Sequence, residues 1–366
     1  MADNNEPELQ PQTHQHHHHH SHPRRRLHIW RWVGGIVLAL IVAAAGFAWY
    51  TYKTVKDTAN NTYIPLSKAN KDAQAAISKQ KPISLLLMGT DTGALGRTEA
   101  RGRTDTMIVV TVNPQTKTTT MVSVPRDTMS QMIGYDGVNI QKINAAYNIG
   151  GSDMAVNTVS ALLNLPIQHY ALVNMGGMEK VVDAVGGVDV DVPFDFDNAG
   201  YAFKKGAMHL DGKKALAYVR MRYDDPKGDY GRTARQRQVI TGILKAAPSF
   251  KSLTNFKTLL TQVENNFRSS MTFDDMLNLF QHYRSAANTV KEDSLQGVGC
   301  YLNGSAYQIM ATKELQRVSD TLRASMGLKK ATLSNEETKQ NALNPNFDWT
   351  AANTKGYVVQ GADRVN

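Results

Sequence analysis

A single cysteine, Cys300, stands in a chain of 366 residues, which excludes an intramolecular disulfide and any cysteine-built zinc site. Stability must therefore come from core packing, and this length allows one large domain or two ordinary ones. Also missing are a Gly-x-x-x-x-Gly-Lys-Ser/Thr loop, a Gly-x-Ser-x-Gly elbow and a His-Glu-x-x-His helix. Without them, nucleotide hydrolysis, serine esterase chemistry and zinc proteolysis lack support. No internal repeat is apparent. Acidic residues are in deficit, 32 against 41 lysines and arginines, so polyanions are plausible partners.

Long apolar runs are scarce as well, and the exception is informative. Residues 32–50 carry no charge and are long enough to cross a hydrocarbon layer about 30 Å thick as one helix. Trp30, Trp32, Trp49, Tyr50 and Tyr52 cluster at its two ends, as interfacial aromatic belts do. Arg24, Arg25, Arg26 and Arg31 precede it, so the positive-inside rule keeps the N-terminus cytoplasmic and sends the rest outside. A cleaved signal peptide is the competing reading, although its apolar core is usually shorter. The sequence thus predicts a cytoplasmic low-complexity tail over 1–31, a transmembrane helix over 32–52 and a single-pass protein of the cell membrane. The five consecutive histidines from His16 to His20 are read as a tag, a weak metal-binding tract or native low complexity. Beyond the tail, 37 basic and 29 acidic residues remain, about +8 for the exported part.

Residues 53–82 are polar, end at Pro82 and read as an extracellular stalk. Ile83 to Met88, Met107 to Val112, Thr119 to Val124 and Val188 to Val192 read as strands. Helical patterns fall at about 153–164, 176–185, 212–219 and 233–247. Strands alternating with helices imply a layered α/β fold. From about 248 to 328 the pattern is mostly helical, with a short strand near 298–302 and a last helix over 314–326. Residues 329–366 are polar without sustained periodicity and read as a flexible tail.

The densest chemistry lies in residues 220–237, RMRYDDPKGDYGRTARQR, with five arginines and three aspartates just ahead of an apolar helical run. Arginine's permanently charged fork fits phosphoryl oxygens two at a time, so a phosphate or pyrophosphate site is suggested, against a salt-bridged surface or nucleic acid phosphates. Asp91 follows a strand at the carboxyl end where open α/β sheets place ligands, although Gly89-Thr90-Asp91-Thr92-Gly93 also reads as an Asx turn. Asp105 opens the next strand across the 93–104 loop, so the two carboxylates can converge on one cation, and Mg²⁺ needs only such a pair plus substrate oxygens and water. Arg97, Arg101 and Arg103, inside the loop, are assigned to a solvated rim. Arg126 follows a third strand, Lys142 opens a helix, and Arg232 and Gln236 lie one helical turn apart.

These pieces, Gly89-Thr90-Asp91, Arg103-Thr104-Asp105-Thr106, Val124-Pro125-Arg126-Asp127, Lys142-Ile143-Asn144 and Arg220-Met221-Arg222 through Asp229-Tyr230-Gly231-Arg232 to Arg235-Gln236, resemble the LytR-CpsA-Psr family of cell-wall glycopolymer ligases. The resemblance spans roughly residues 80–328, with the catalytic domain at 83–328, and implies an α/β/α sandwich around a central mixed sheet, with a hydrophobic tunnel for a polyprenyl tail. It implies that Asp91 and Asp105 bind Mg²⁺ and that Arg126, Lys142, Arg220, Arg222, Arg232 and Gln236 hold a polyprenyl-linked glycan's pyrophosphate. Asp229 would orient the arginines, and Asp91 with Arg126 would serve catalysis. The implied activity is a phosphotransferase that moves a teichoic acid or capsular polysaccharide to a peptidoglycan hydroxyl at the cytoplasmic membrane. Rival readings are a hydrolase of the same lipid, a non-catalytic polymer-binding module and a membrane-bound transcriptional attenuator. The last conflicts with the predicted topology, and no nucleic acid partner is expected.

Overall fold

The computed structural model describes residues 41–42, 49–50, 53–54, 56–57, 60–67, 71–92, 102–246, 261–350 and 356–365. The chain divides into two units, 1–52 and 53–366, and the second holds the elements and clefts described below. Among the described residues no helix is long and apolar enough to cross a membrane. The span expected over 32–52 lies almost wholly outside them.

A six-stranded mixed sheet forms the centre. β1 (Ile83–Thr90) lies between β2 (Thr104–Asn113) and β6 (His169–Asn174), and the full order is β11-β6-β1-β2-β3-β12, with β3 at Thr118–Ser123, β11 at Phe267–Ser269 and β12 at Thr289–Ser294. β1 runs parallel to β6 and antiparallel to β2, and β3 runs parallel to β12. β1 is nearly all apolar because both of its faces are buried, and its period of two divides the side chains. Leu86 and Met88 join Val109 and Val122 against α2 (Ala145–Leu163) and α7 (Thr312–Ser325). Leu85, Ile108 and Met121 face the opposite way, toward α1 (Lys71–Ser78), α5 (Asp229–Ala246) and α6 (Phe273–His282). Helices therefore cover both faces, as expected.

Beside the sheet, α3 (Met175–Ala184), β7 (Val188–Val192), β8 (Phe196–Asn198), β9 (Tyr201–Phe203), β10 (Gly206–Leu210) and α4 (Gly212–Arg220) enclose a second core. β7, VDVDV, alternates buried valine with exposed aspartate. α5 serves both cores, Ile240 and Leu244 facing the sheet and Val239 and Ile243 the other, so it lacks a single apolar stripe.

Three expectations are corrected. Residues 53–82 are not all stalk: Tyr63 bridges to Ser269, the Tyr170 hydroxyl donates to the Ile64 carbonyl at 3.0 Å, and α1 buries Ala73, Ala76 and Ile77. α1 is one short alanine-rich turn pair, too weak a pattern to stand out from a polar linker. The 248–328 stretch, described from 261 onward, is less helical than expected. β13 (Val298–Leu302) stands where the strand was expected, but β11, β12 and β14 (Ser305–Ile309) occupy it as well. β12, TVKEDS, is a polar edge strand, whose charges protect an open edge and hide the strand pattern.

The third correction concerns residues 329–366, which are not a free tail. α8 (Glu336–Ala342) is closed by a capping box between Asn335 and Thr338. β15 (Arg364–Val365) pairs with β5 (Asn139–Lys142), which pairs with β4 (Met129–Gln131). Phe347 and Tyr357 meet edge to face at 5.1 Å over a core with Met129, Ile140 and Tyr307. Buried amides replace apolar periodicity here: Asn341 donates to the Met310 carbonyl at 2.9 Å, and Asn344 to that of Val358 at 2.8 Å.

Candidate functional site

The site gathers at one end of the sheet. β1 and β3 are each antiparallel to β2, so their carboxyl ends share an edge with the start of β2. Along β1 and β2, Gly89 pairs with Thr106 but Thr90 pairs with Thr104, which leaves Asp105 as an extra residue in a β-bulge. The bulge re-aims the Asp105 side chain. Gly89 leaves room opposite it, since a Cβ there would make a tight contact, 3.0 Å from Cβ of Thr106. Gly102 serves Asp91 similarly: a Cβ on it would stand 2.9 Å from the Asp91 Oδ1 and 2.6 Å from Thr92 Cγ2.

Arg126 leaves the end of β3 and donates from Nη1 to Asp105 Oδ1 at 2.9 Å, with Asp127 Oδ2 3.6 Å from its Nε. Burial pulls its pKa down, but Asp105, Asp229 and Asp127 outweigh that and hold it above the ordinary arginine value. Lys142, at the end of β5, stands 3.7 Å from Asp127 and 5.5 Å over the Tyr307 ring. Arg232, in the first turn of α5, donates from Nη2 to the Asp105 carbonyl at 3.1 Å and lies 2.8 Å from Asp229. Its pKa is lowered by burial and by the like charges of Arg126 and Arg222, against the pull of Asp229 and Asp105. Both guanidiniums remain cationic at any physiological pH.

A cleft of about 690 Å³ opens here, with Asp91, Asp105, Arg126, Lys142 and Arg222 in its walls. Five of the expected residues thus meet at one space, and Arg232 and Asp229 brace Asp105 from behind. Arg103, expected on a rim, is exposed and lines the same cleft; Arg97 and Arg101 lie outside the described residues. Arg220 and Gln236 are not among the lining residues. Arg220 is the exposed last residue of α4, while Gln236 sits one turn beyond Arg232 with a buried Oε1 that has no partner among the described residues.

The dense arginine segment is divided by the structure. Arg235 is 1% exposed; it pairs with Asp225, donates to the Tyr218 and Met221 carbonyls, and lies over the Phe196 ring. Arg237 donates to Ser123 Oγ at 2.6 Å, tying α5 to β3. These two hold the fold rather than the cleft, a division that spacing could not show because Arg232 and Arg235 are only three residues apart. Sequence reasoning assigned no role to Asn144, which is 4% exposed, lines the cleft and has an Oδ1 without a partner among the described residues. Its place directly after Lys142-Ile143 was the available signal.

The donor set fits a magnesium ion. Asp91 and Asp105 present hard carboxylate oxygens to one cleft, and no cluster of three or more His, Cys, Asp or Glu stands among the described residues to form a cage independent of substrate.

The chain is 43% identical over 295 residues, 81% of its length and 96% of the relative's, to a polyisoprenyl-teichoic acid–peptidoglycan teichoic acid transferase, TagU, from Enterococcus faecalis. A crystal structure from Enterococcus faecalis described as a transcriptional regulator matches with a TM-score of 0.65 and 38% identity, covering 74% of this chain and 97% of that one. A structure of TagT bound to LIIa-WTA matches with a TM-score of 0.61 and 27% identity, covering 73% and 100%. The LytR_cpsA_psr family pattern matches residues 49–324, and this chain belongs to the LytR-CpsA-Psr family.

Proposed function

We propose that the protein is a transferase that moves a glycopolymer phosphate from a polyprenyl pyrophosphate carrier to a sugar hydroxyl of peptidoglycan, with teichoic acid as the transferred polymer. The observation that carries this reading is the cleft in which Arg126 is fixed to Asp105 beside Asp91, with Lys142 and Arg222 lining the same space. Cations held in place by carboxylates neutralise phosphoryl charge without reorganising at the moment of reaction.

The acceptor oxygen forms a bond to the phosphorus that carries the glycan. The bond from that phosphorus to the oxygen of polyprenyl phosphate breaks, and polyprenyl phosphate departs with the electron pair. The hydroxyl proton passes to Asp91 and on to solvent, a light demand because phosphoryl transfer rests mainly on positioning and charge. Arg126 and Lys142 hold the pyrophosphate oxygens, and Arg222 extends the grip from the loop after α4. Arg232, through the Asp105 carbonyl and Asp229, keeps the bulge in place. A magnesium ion held by Asp91 and Asp105 would add positive charge at the same oxygens.

The arginines before the apolar run 32–52 support an anchored protein with this domain outside the cell. Such a placement brings the cleft to the lipid carrier and the wall together. The decisive experiment incubates the purified protein with a defined lipid-linked glycan, Mg²⁺ and peptidoglycan, and determines the linkage by mass. A phosphodiester-linked product is expected; free glycan phosphate alone would make the protein a hydrolase.

A further inference from the structure

A second cleft, about 380 Å³ in volume, adjoins the first. Gly102 lines both. At the end of β1, Thr90 and Thr92 line this second cleft while Asp91 between them lines the first. The extended backbone thus sends alternate side chains into adjacent spaces. The far wall comes from Asn265, Asn266 and Phe267, and the floor from the break in α2, where Gly151 adopts φ +68°, a conformation that favours glycine.

The lining has a distinct chemistry. Among the described residues that line it there are one acid and one base, Asp153 and Arg268, and both make hydrogen bonds within the protein. The Asp153 carboxylate accepts from the Ser67 amide and hydroxyl at 2.7 Å each. Arg268 Nη1 donates to the Glu264 and Phe267 carbonyls, also at 2.7 Å. Amides and hydroxyls supply much of the remaining polar wall, and Tyr147, Leu172 and Phe267 supply apolar area. Neutral donors and acceptors around aromatic and aliphatic patches match an uncharged, acetamido-bearing sugar, whose ring has polar edges and apolar faces. A phosphate-rich polymer would call for more cations than Arg268, the one found among the described lining residues.

We propose that this second cleft binds the acceptor: an N-acetylated sugar of the peptidoglycan glycan strand, seated so that its hydroxyl reaches past the Thr90–Thr92 strand end toward the phosphate cleft. The inference rests on the transferase reading and names the acceptor subsite within it. The two clefts then divide the reaction, one taking the charged donor and the other the neutral acceptor.

The test is a binding titration of the full chain in detergent micelles with a peptide-free, N-acetylated peptidoglycan tetrasaccharide, followed by calorimetry. Asn265→Trp, at an exposed position on the wall, fills the cleft, and Thr92→Val removes a hydroxyl while keeping the side-chain shape. Unchanged melting temperatures establish that both variants fold. The tetrasaccharide is expected to bind the wild type, and Asn265→Trp should weaken it by roughly tenfold or more, with a smaller loss for Thr92→Val. Absence of binding to the wild type, equal binding by Asn265→Trp, or displacement of the saccharide by a soluble polyol-phosphate oligomer would each overturn the proposal. Saccharide binding without any glycopolymer transfer would instead count against the transferase reading alone.

Discussion

At the scale of single residues, the structure assigns different work to side chains of one type. Arg126 acts through its fork, with one nitrogen on Asp105 and a buried Nε that has no hydrogen-bond partner among the described residues. Arg126→Lys keeps the charge but loses the two-point geometry, so transfer should fall by about a hundredfold or more while the thermal melt changes little. Near-normal turnover would remove Arg126 from the site. Arg235 is the opposite case, since Arg235→Ala strands the buried carboxylate of Asp225 and should cost about 3–5 kcal/mol. Arg222→Ala, at an exposed position, should stay within about 0.5 kcal/mol in the same denaturant titration yet lose transfer. Equal stability losses in the two variants would erase the division. Asp91→Asn and Asp105→Asn should each reduce transfer, as should chelation of the wild type, because substrate and carboxylates share one cation in this reading. Full turnover in excess chelator would remove magnesium from it.

At the scale of elements, regular strands and helices were the legible part. β1 and β7 announce themselves through a continuous apolar run and through strict alternation, and α7 through its amphipathic stripe. The segment carrying α8 and β15 was not legible, because Asn341 and Asn344 bury amides against backbone carbonyls instead of presenting a periodic apolar face. Within α8, Glu337 is buried and accepts from the Gln131 amide of β4 at 2.8 Å. Burial drives its pKa up to about 7, against the backbone hydrogen bonds that favour its ionised form. Between the ordinary carboxylate range and pH 7 the folded protein therefore holds a proton that the unfolded chain has released. Stability should fall as pH rises through that window and level off above it. Glu337→Gln should flatten the profile and raise the melting temperature at pH 8. A profile as steep as that of the wild type would place the titration elsewhere.

At the scale of the whole molecule, the sequence placed Asp91, Asp105 and Arg126 together through their positions at strand ends, and Lys142 and Arg222 with them through family resemblance. It could not separate Arg220, exposed on α4, from its neighbour Arg222 in the cleft, since that depends on how the chain leaves a helix. Charge asymmetry about the apolar run gives a prediction for the entire chain. Protease added to intact, wall-stripped cells should digest residues beyond 53 and spare the N-terminal tail; a protected domain would reverse the orientation. Among the described pairings of the central sheet, register breaks only where Asp105 is inserted. Loss of that one codon would restore an unbroken ladder between β1 and β2 while deleting the carboxylate that holds Arg126. A sturdier sheet and a working cleft therefore make opposite demands on this one position, and a chain lacking residue 105 should melt no lower than the wild type while losing transfer.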